Sequence, residues 1–118
     1  MSTLSVSNIT DGTDTVETGY VVNGSAKAWA RYDGSSVLAD SFNVASTVDG
    51  GTTGQTTVNF TNSMSDGNYA SQATCNGTTG DRFTTISNQA SSSYDTFTYD
   101  NITRTDLPVG TIVTGDLA

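Results

Sequence analysis

At 118 residues and a net charge of −8, the chain has the length of one domain and the wrong sign for a phosphate surface. Nucleic acid and anionic membrane are excluded as expected partners, and no apolar run approaches the roughly 18 residues of a membrane span. Hydrophobic residues make up 34% and charged residues 14%, and Ser, Thr, Asn and Gly fill much of the remainder. Thr, Val and aromatic residues recur throughout, which suits half-buried β-strands rather than disorder.

In chain order, Leu4, Val6 and Ile9 suggest a first strand, ended by Asp11-Gly12-Thr13-Asp14. "YVVNGSAKAWARY" (20–32) reads as one long or broken strand, with Lys27, Trp29 and Arg31 on one face and Ala26, Ala28, Ala30 and Tyr32 on the other. Asp33-Gly34 turns the chain. Phe42, Val44 and Val48 then share a parity in "DSFNVASTV", and "DGGTTG" (49–54) is the clearest hairpin loop, followed by "QTTVNFT" with Val58 and Phe60 in phase. Those two segments are expected to pair antiparallel. Asp66-Gly67 introduces "NYASQATC", in which Tyr69, Ala73 and Cys75 share a face. "NGTTGD" (76–81) is a further turn, and "RFTTIS", "SYDTFTY" and "GTIVT" complete the set. The expectation is an all-β domain, an antiparallel sandwich or compact barrel of about seven or eight strands. An extended N-terminal arm at 1–19 precedes a β domain at 20–118. The expected core holds Phe42, Val44, Val58, Phe60 and Tyr69.

Chemistry-bearing residues are few. Without histidine there is no Ser-His-Asp or Cys-His pair and no His-based metal site. Cys75 is the only cysteine, so it forms no intrachain disulfide, and it reads as a half-buried strand thiol. The eleven aspartates mostly stand beside Gly, Asn or Thr, where Asp supports turns through its own side chain. A calcium site would need several converging oxygens; Asp11 with Asp14, or Asp95 with Asp100, are the candidates, but no EF-hand-like loop is present. Paired-carboxylate glycosidase chemistry has no specific signal beyond acidity. No enzyme activity, cofactor or metal is expected. Five Asn-X-Ser/Thr matches, at Asn8, Asn23, Asn59, Asn76 and Asn101, carry little weight in so Ser/Thr-rich a chain. "MSTLSVSNIT" has neither a basic nor an apolar signal segment, so no signal peptide is read and synthesis in a reducing cytosol is expected.

One long segment, from Asn23 to Ala70, resembles a recurrent stretch of tail-fibre-type virion proteins of bacteriophages, particularly phages of marine bacteria. The matching residues are Lys27, Ala28 and Trp29; Ser41, Phe42, Asn43 and Val44; Thr57 to Thr61; and Met64, Asn68 and Tyr69. "RYDG" stands where the pattern has an Asn-rich turn, and "NITRTDLPVGTIVTGDLA" lacks its aromatic final strand, so no site is carried over from there. The resemblance implies a non-enzymatic virion protein, a homotrimer contacting other capsid or tail proteins. In this reading residues 1–19 attach a head decoration or cement-like protein, or a short appendage, to the particle. A tail tip recognising a host surface glycan is the alternative, and a carbohydrate-binding module the third reading. Lys27, Trp29 and Arg31 form the candidate subunit-interface or ligand face. Trp29 can close its own core, anchor a neighbouring subunit or stack on a sugar, and an architectural role is the expectation adopted.

Overall fold

The computed structural model describes residues 1–77 and 80–118. In chain order the elements are β1 (Asn8–Thr10), β2 (Thr15–Glu17), a seven-residue helix α1 (Thr18–Gly24), β3 (Ala26–Tyr32), β4 (Leu38–Phe42), β5 (Val44–Asp49), β6 (Gln55–Phe60), β7 (Ala70–Cys75), β8 (Arg82–Ala90), β9 (Ser93–Asp100), β10 (Thr103–Arg104) and β11 (Val109–Thr114). One antiparallel sheet runs β4-β3-β11-β7. The facing sheet runs β5-β6-β9, with β8 and the short β10 both paired to β9. β1 and β2 form a separate hairpin. The fold is an all-β sandwich, one of the two architectures the alternating pattern offered, and not a closed barrel. The additional strands come from β2, from β10 and from the division of "DSFNVASTV" into β4 and β5. The expected turn at 76–81 includes Thr78 and Thr79, which lie outside the described residues. Among the described residues no helix is long and apolar enough to cross a membrane.

The core follows from strand alternation. In β6, Thr56, Val58 and Phe60 point inward and are buried while Gln55, Thr57 and Asn59 lie on the other face. In β11, Val109, Thr111 and Val113 do the same. Phe60, Tyr69 and Tyr94 form an aromatic cluster with ring centroids 5.6, 5.5 and 6.5 Å apart. Ala28 and Ala30 on β3 belong to the same core, and their small side chains leave depth between the sheets for those rings. Two buried hydrogen bonds cross the sandwich in opposite senses. Tyr32 of the first sheet reaches Thr96 of the second, and Tyr94 of the second reaches Thr111 of the first, both at 2.6 Å between oxygens. Neither ring therefore buries its hydroxyl unpaired, which would cost about 1–3 kcal/mol.

Asn43 is the corner where the chain leaves one sheet for the other. Its φ of 55° lies in the left-handed region that Asn tolerates better than most residues. Its amide nitrogen donates to the carbonyls of Lys27 and Asn62, and its Oδ1 accepts the Asn62 backbone N–H at 2.7 Å. This reversal changes which side of the chain faces inward. Val44 is buried, but Phe42, expected in the core, is 56% exposed. A register shift between Val44 and Ser46 then turns Val48 outward as well. Of the expected core, Val58, Phe60 and Tyr69 are buried with Val44.

The N-terminal region also departs from the expectation. Tyr20–Gly24 is helical rather than the start of a strand, and Leu4 and Val6 precede β1. No residue from Met1 to Ser25 is buried, so a coreless segment continues beyond residue 19 to the edge of β3. The hairpin turn is built as expected: Asp11 Oδ1 accepts the backbone N–H groups of Thr13 and Asp14, both at 2.9 Å. These bonds, Asp14 first, hold its carboxyl below the usual carboxylate range.

Candidate interaction face on the outer sheet

β3 decides where the candidate residues go. Ala28, Ala30 and Tyr32 are buried, so Trp29 and Arg31, of opposite parity, emerge on the outer face of the sheet. Trp29 is thus not a core residue of its own sheet. The alternation separated the two faces correctly, but the inward one belongs to the alanines and the tyrosine. Lys27, expected on the face with them, is instead drawn in to 9% exposure. Its Nζ donates to the backbone oxygen and the hydroxyl of Ser25, both at 2.8 Å.

The pairing register assembles neighbours that no local pattern identified. Phe42 of β4, Trp29 of β3, Ile112 of β11 and Gln72 of β7 are successive cross-strand partners, forming one row over all four strands. Trp29 is 37% and Ile112 43% exposed, so the row is an apolar ridge open to solvent beside Phe42. The adjoining row is Asp40, Arg31, Gly110 and Thr74. A side-chain carbon placed on Gly110 would meet no atom within 4 Å, so the surface drops to a shelf between Arg31 and Thr74. On the far side of Phe42, Ala26, Lys27, Asn43, Asn62 and Leu117 line a shallow cleft of about 300 Å³.

Charge at this face is unusual for so acidic a chain. Among the described residues the ion pair within 4.0 Å is Arg82 with Asp100 on the opposite sheet, at 3.1 Å. Arg104 lies 4.5 Å above the ring centroid of Phe97. Arg31 is exposed and has no such partner. Asp40 stands opposite it in register, but Asp40 Oδ1 accepts the Ser41 N–H at 2.9 Å. The face thus offers ring and methyl surface, one available guanidinium and neutral amides and hydroxyls, a composition suited to binding.

The other candidates resolve differently. Asp95 and Asp100 are five residues apart on β9 and so point to opposite faces. Asp95 is buried among neutral donors, with Thr57 Oγ1 at 2.6 Å, Asn88 Nδ2 at 2.7 Å and Gln55 Nε2 at 3.2 Å, while Asp100 faces Arg82. Asp33, Asp49 and Asp66 each accept backbone N–H groups within their own turns. Cys75 is half-buried and packs against the core. Phe83 and Tyr99, on the outer side of the second sheet, stack on one another at 4.7 Å and an interplanar angle of 9°. Comparison of the chain with protein-family models, curated proteins and solved structures finds no match.

Proposed function

We propose that this chain is a non-enzymatic structural protein of a bacteriophage virion, displayed as a homotrimer on the particle surface as a capsid decoration, cement-like protein or short appendage. The observation that carries this reading is the contrast between the two ends of the molecule. The sandwich has its own core, whereas residues 1–25 bury nothing and leave Leu4, Val6, Ile9, Val16, Tyr20, Val21 and Val22 exposed. A three-residue hairpin pair and a seven-residue helix are each marginal in water by themselves. Such a segment gains stability when a partner covers its apolar side chains, which is what an attachment element does. The resemblance of residues 23–70 to tail-fibre-type proteins supports a virion as the setting, and the acidic, Ser/Thr-rich surface suits dense display.

The test is deletion of residues 2–18. The truncated protein should keep its β circular dichroism and fail to enter particles. Normal occupancy on particles would overturn the assignment of attachment to the N-terminal segment. Copy number by mass spectrometry separates the sites: hundreds of copies per particle for head decoration, a handful for a tail appendage. Light scattering that finds a monomer at micromolar concentration removes the trimer.

A second reading, a tip or module that binds a host surface glycan, is favoured by one observation, the solvent-open row of Phe42, Trp29 and Ile112. Flat aromatic side chains are natural platforms for the apolar faces of sugar rings, and an exposed ridge is available for that use.

A further inference from the structure

We infer that the outer face of the β4-β3-β11-β7 sheet binds a sparsely charged glycan, one carrying a single carboxylate among neutral pyranose rings. Trp29 and Phe42 take the apolar sugar faces and Arg31 takes the carboxylate. The inference rests on the second reading above for the ligand being a saccharide, and it adds the chemical class.

Three features on the same face lead to it. The ridge of Phe42, Trp29 and Ile112 crosses the sheet in one line, so a linear ligand lying along it meets consecutive apolar surfaces. Beside it, Gly110 leaves a shelf where any side chain would stand up into open space, and a glycine inside a strand often marks the close approach of another molecule. At the wall of that shelf Arg31 has no carboxylate within 4.0 Å, although the chain carries twelve acidic residues. A guanidinium left available in this setting matches one anionic group by a charge-assisted, two-pronged hydrogen bond. Gln72 and Thr74 continue the two rows with neutral hydrogen-bonding groups.

Charge also sets the upper limit on the ligand. With a net charge of −8 the molecule repels a polyanion, so a chain bearing a carboxylate on every sugar is disfavoured away from Arg31. The homotrimer proposed above is then built through another surface of the chain, and the acid nearest the ridge, Asp40, already uses Oδ1 on its own strand.

The experiment is a titration of the full-length protein with an oligosaccharide of one glucuronate and three neutral sugars per repeat. The same oligosaccharide with its carboxylate reduced to the alcohol, and polygalacturonate, serve as comparisons. Trp29, the one tryptophan, gives a direct fluorescence readout alongside calorimetry. The glucuronate-bearing probe should bind, at least about tenfold more tightly than its reduced form, a difference of about 1.4 kcal/mol. It should also bind more tightly than polygalacturonate at low salt. Arg31→Gln should remove the preference for the acidic probe while retaining weak binding of both. Gly110→Val fills the shelf at a position with space for the side chain, so it should fold and melt like the parent yet lose binding.

Equal affinity for the acidic and reduced probes would overturn the acidic class while leaving a saccharide reading in place. Failure of both tetrasaccharides at millimolar concentration would overturn the inference together with that reading. An oligomer that Trp29→Ala dissociates in the absence of sugar would assign the face to a second copy and refute the inference.

Discussion

Replacing Tyr94 by Phe removes one oxygen from a ring that is fully buried, and leaves the 6%-exposed Thr111 hydroxyl facing carbon. The 2.6 Å bond is one of two that cross between the sheets, and its loss strands a buried polar group rather than returning it to water. Such stranding costs about 1–3 kcal/mol. Thr111→Val strands the tyrosine hydroxyl instead and should cost a similar amount. The double variant removes both polar atoms while nearly preserving shape, so it should lie within about 1 kcal/mol of the parent. The coupling energy, the sum of the single costs less that of the double, is then about 1–6 kcal/mol, outside the scatter of independent sites. Urea unfolding followed by far-ultraviolet circular dichroism reads this directly. At an m-value of about 2 kcal/mol/M, a 2 kcal/mol loss moves the midpoint down by about 1 M. Additive single costs, or single variants as stable as the parent, would refute the claim that this bond pins the sheets together.

The same tyrosines make the protein sensitive to alkali. Burial pushes the Tyr94 and Tyr69 hydroxyls up to about 12 and raises that of Tyr32 further, whereas an unfolded tyrosine ionises near 10. The folded state therefore holds protons that the unfolded state releases. Stability from this source is complete below pH 10 and falls as pH rises towards 12, so the tyrosinate absorbance of these three rings should appear cooperatively with unfolding; any of the three titrating near 10 in the folded protein would contradict it. Trp29→Ala should lower stability by about 1 kcal/mol or less, against the 3–5 kcal/mol of an aromatic lost from a core. A calorimetric loss in the larger range would mean that Trp29 is covered in solution. Thr84 has a buried Oγ1 that finds no partner among the described residues, so Thr84→Val should raise stability by about 1 kcal/mol in the same urea assay.

Much of the sandwich was legible where a strand keeps strict alternation between clear turns. "QTTVNF", its hairpin with the preceding segment and the aspartate-built turns all follow from period-two patterning and side-chain capping. The Phe42 position was not legible, because shared parity predicts a shared face only along an unbroken strand, and the left-handed Asn43 breaks this one. Helix α1 carries no side-chain N-cap and no acidic first turn, and it contains two β-branched valines, so every local signal spoke for a strand. On β3 the alternation revealed two faces without deciding between them. That choice depends on the opposite sheet, whose inward rings, Phe60 and Tyr94, need the shallow alanine side. The neighbours of Trp29 were hidden for a related reason: Ile112 reaches it through strand register, a relation between segments about 80 residues apart.

The interior of this protein is chemically mixed, and that bears on its response to temperature. Ser36, Thr56, Thr96, Thr98 and Thr111 are all buried between or beside the sheets, alongside the alanines and three hydroxyl-bearing rings, Tyr32, Tyr69 and Tyr94. Exposing apolar surface on unfolding raises the heat capacity, and exposing polar surface lowers it. An interior with this many hydroxyls therefore unfolds with a smaller heat-capacity change than an aliphatic core of equal size. The curve of stability against temperature is correspondingly flat, and folding loses little of its driving force on cooling. A sandwich built this way keeps its shape in cold water for the same reason that it needs so few large hydrophobic residues.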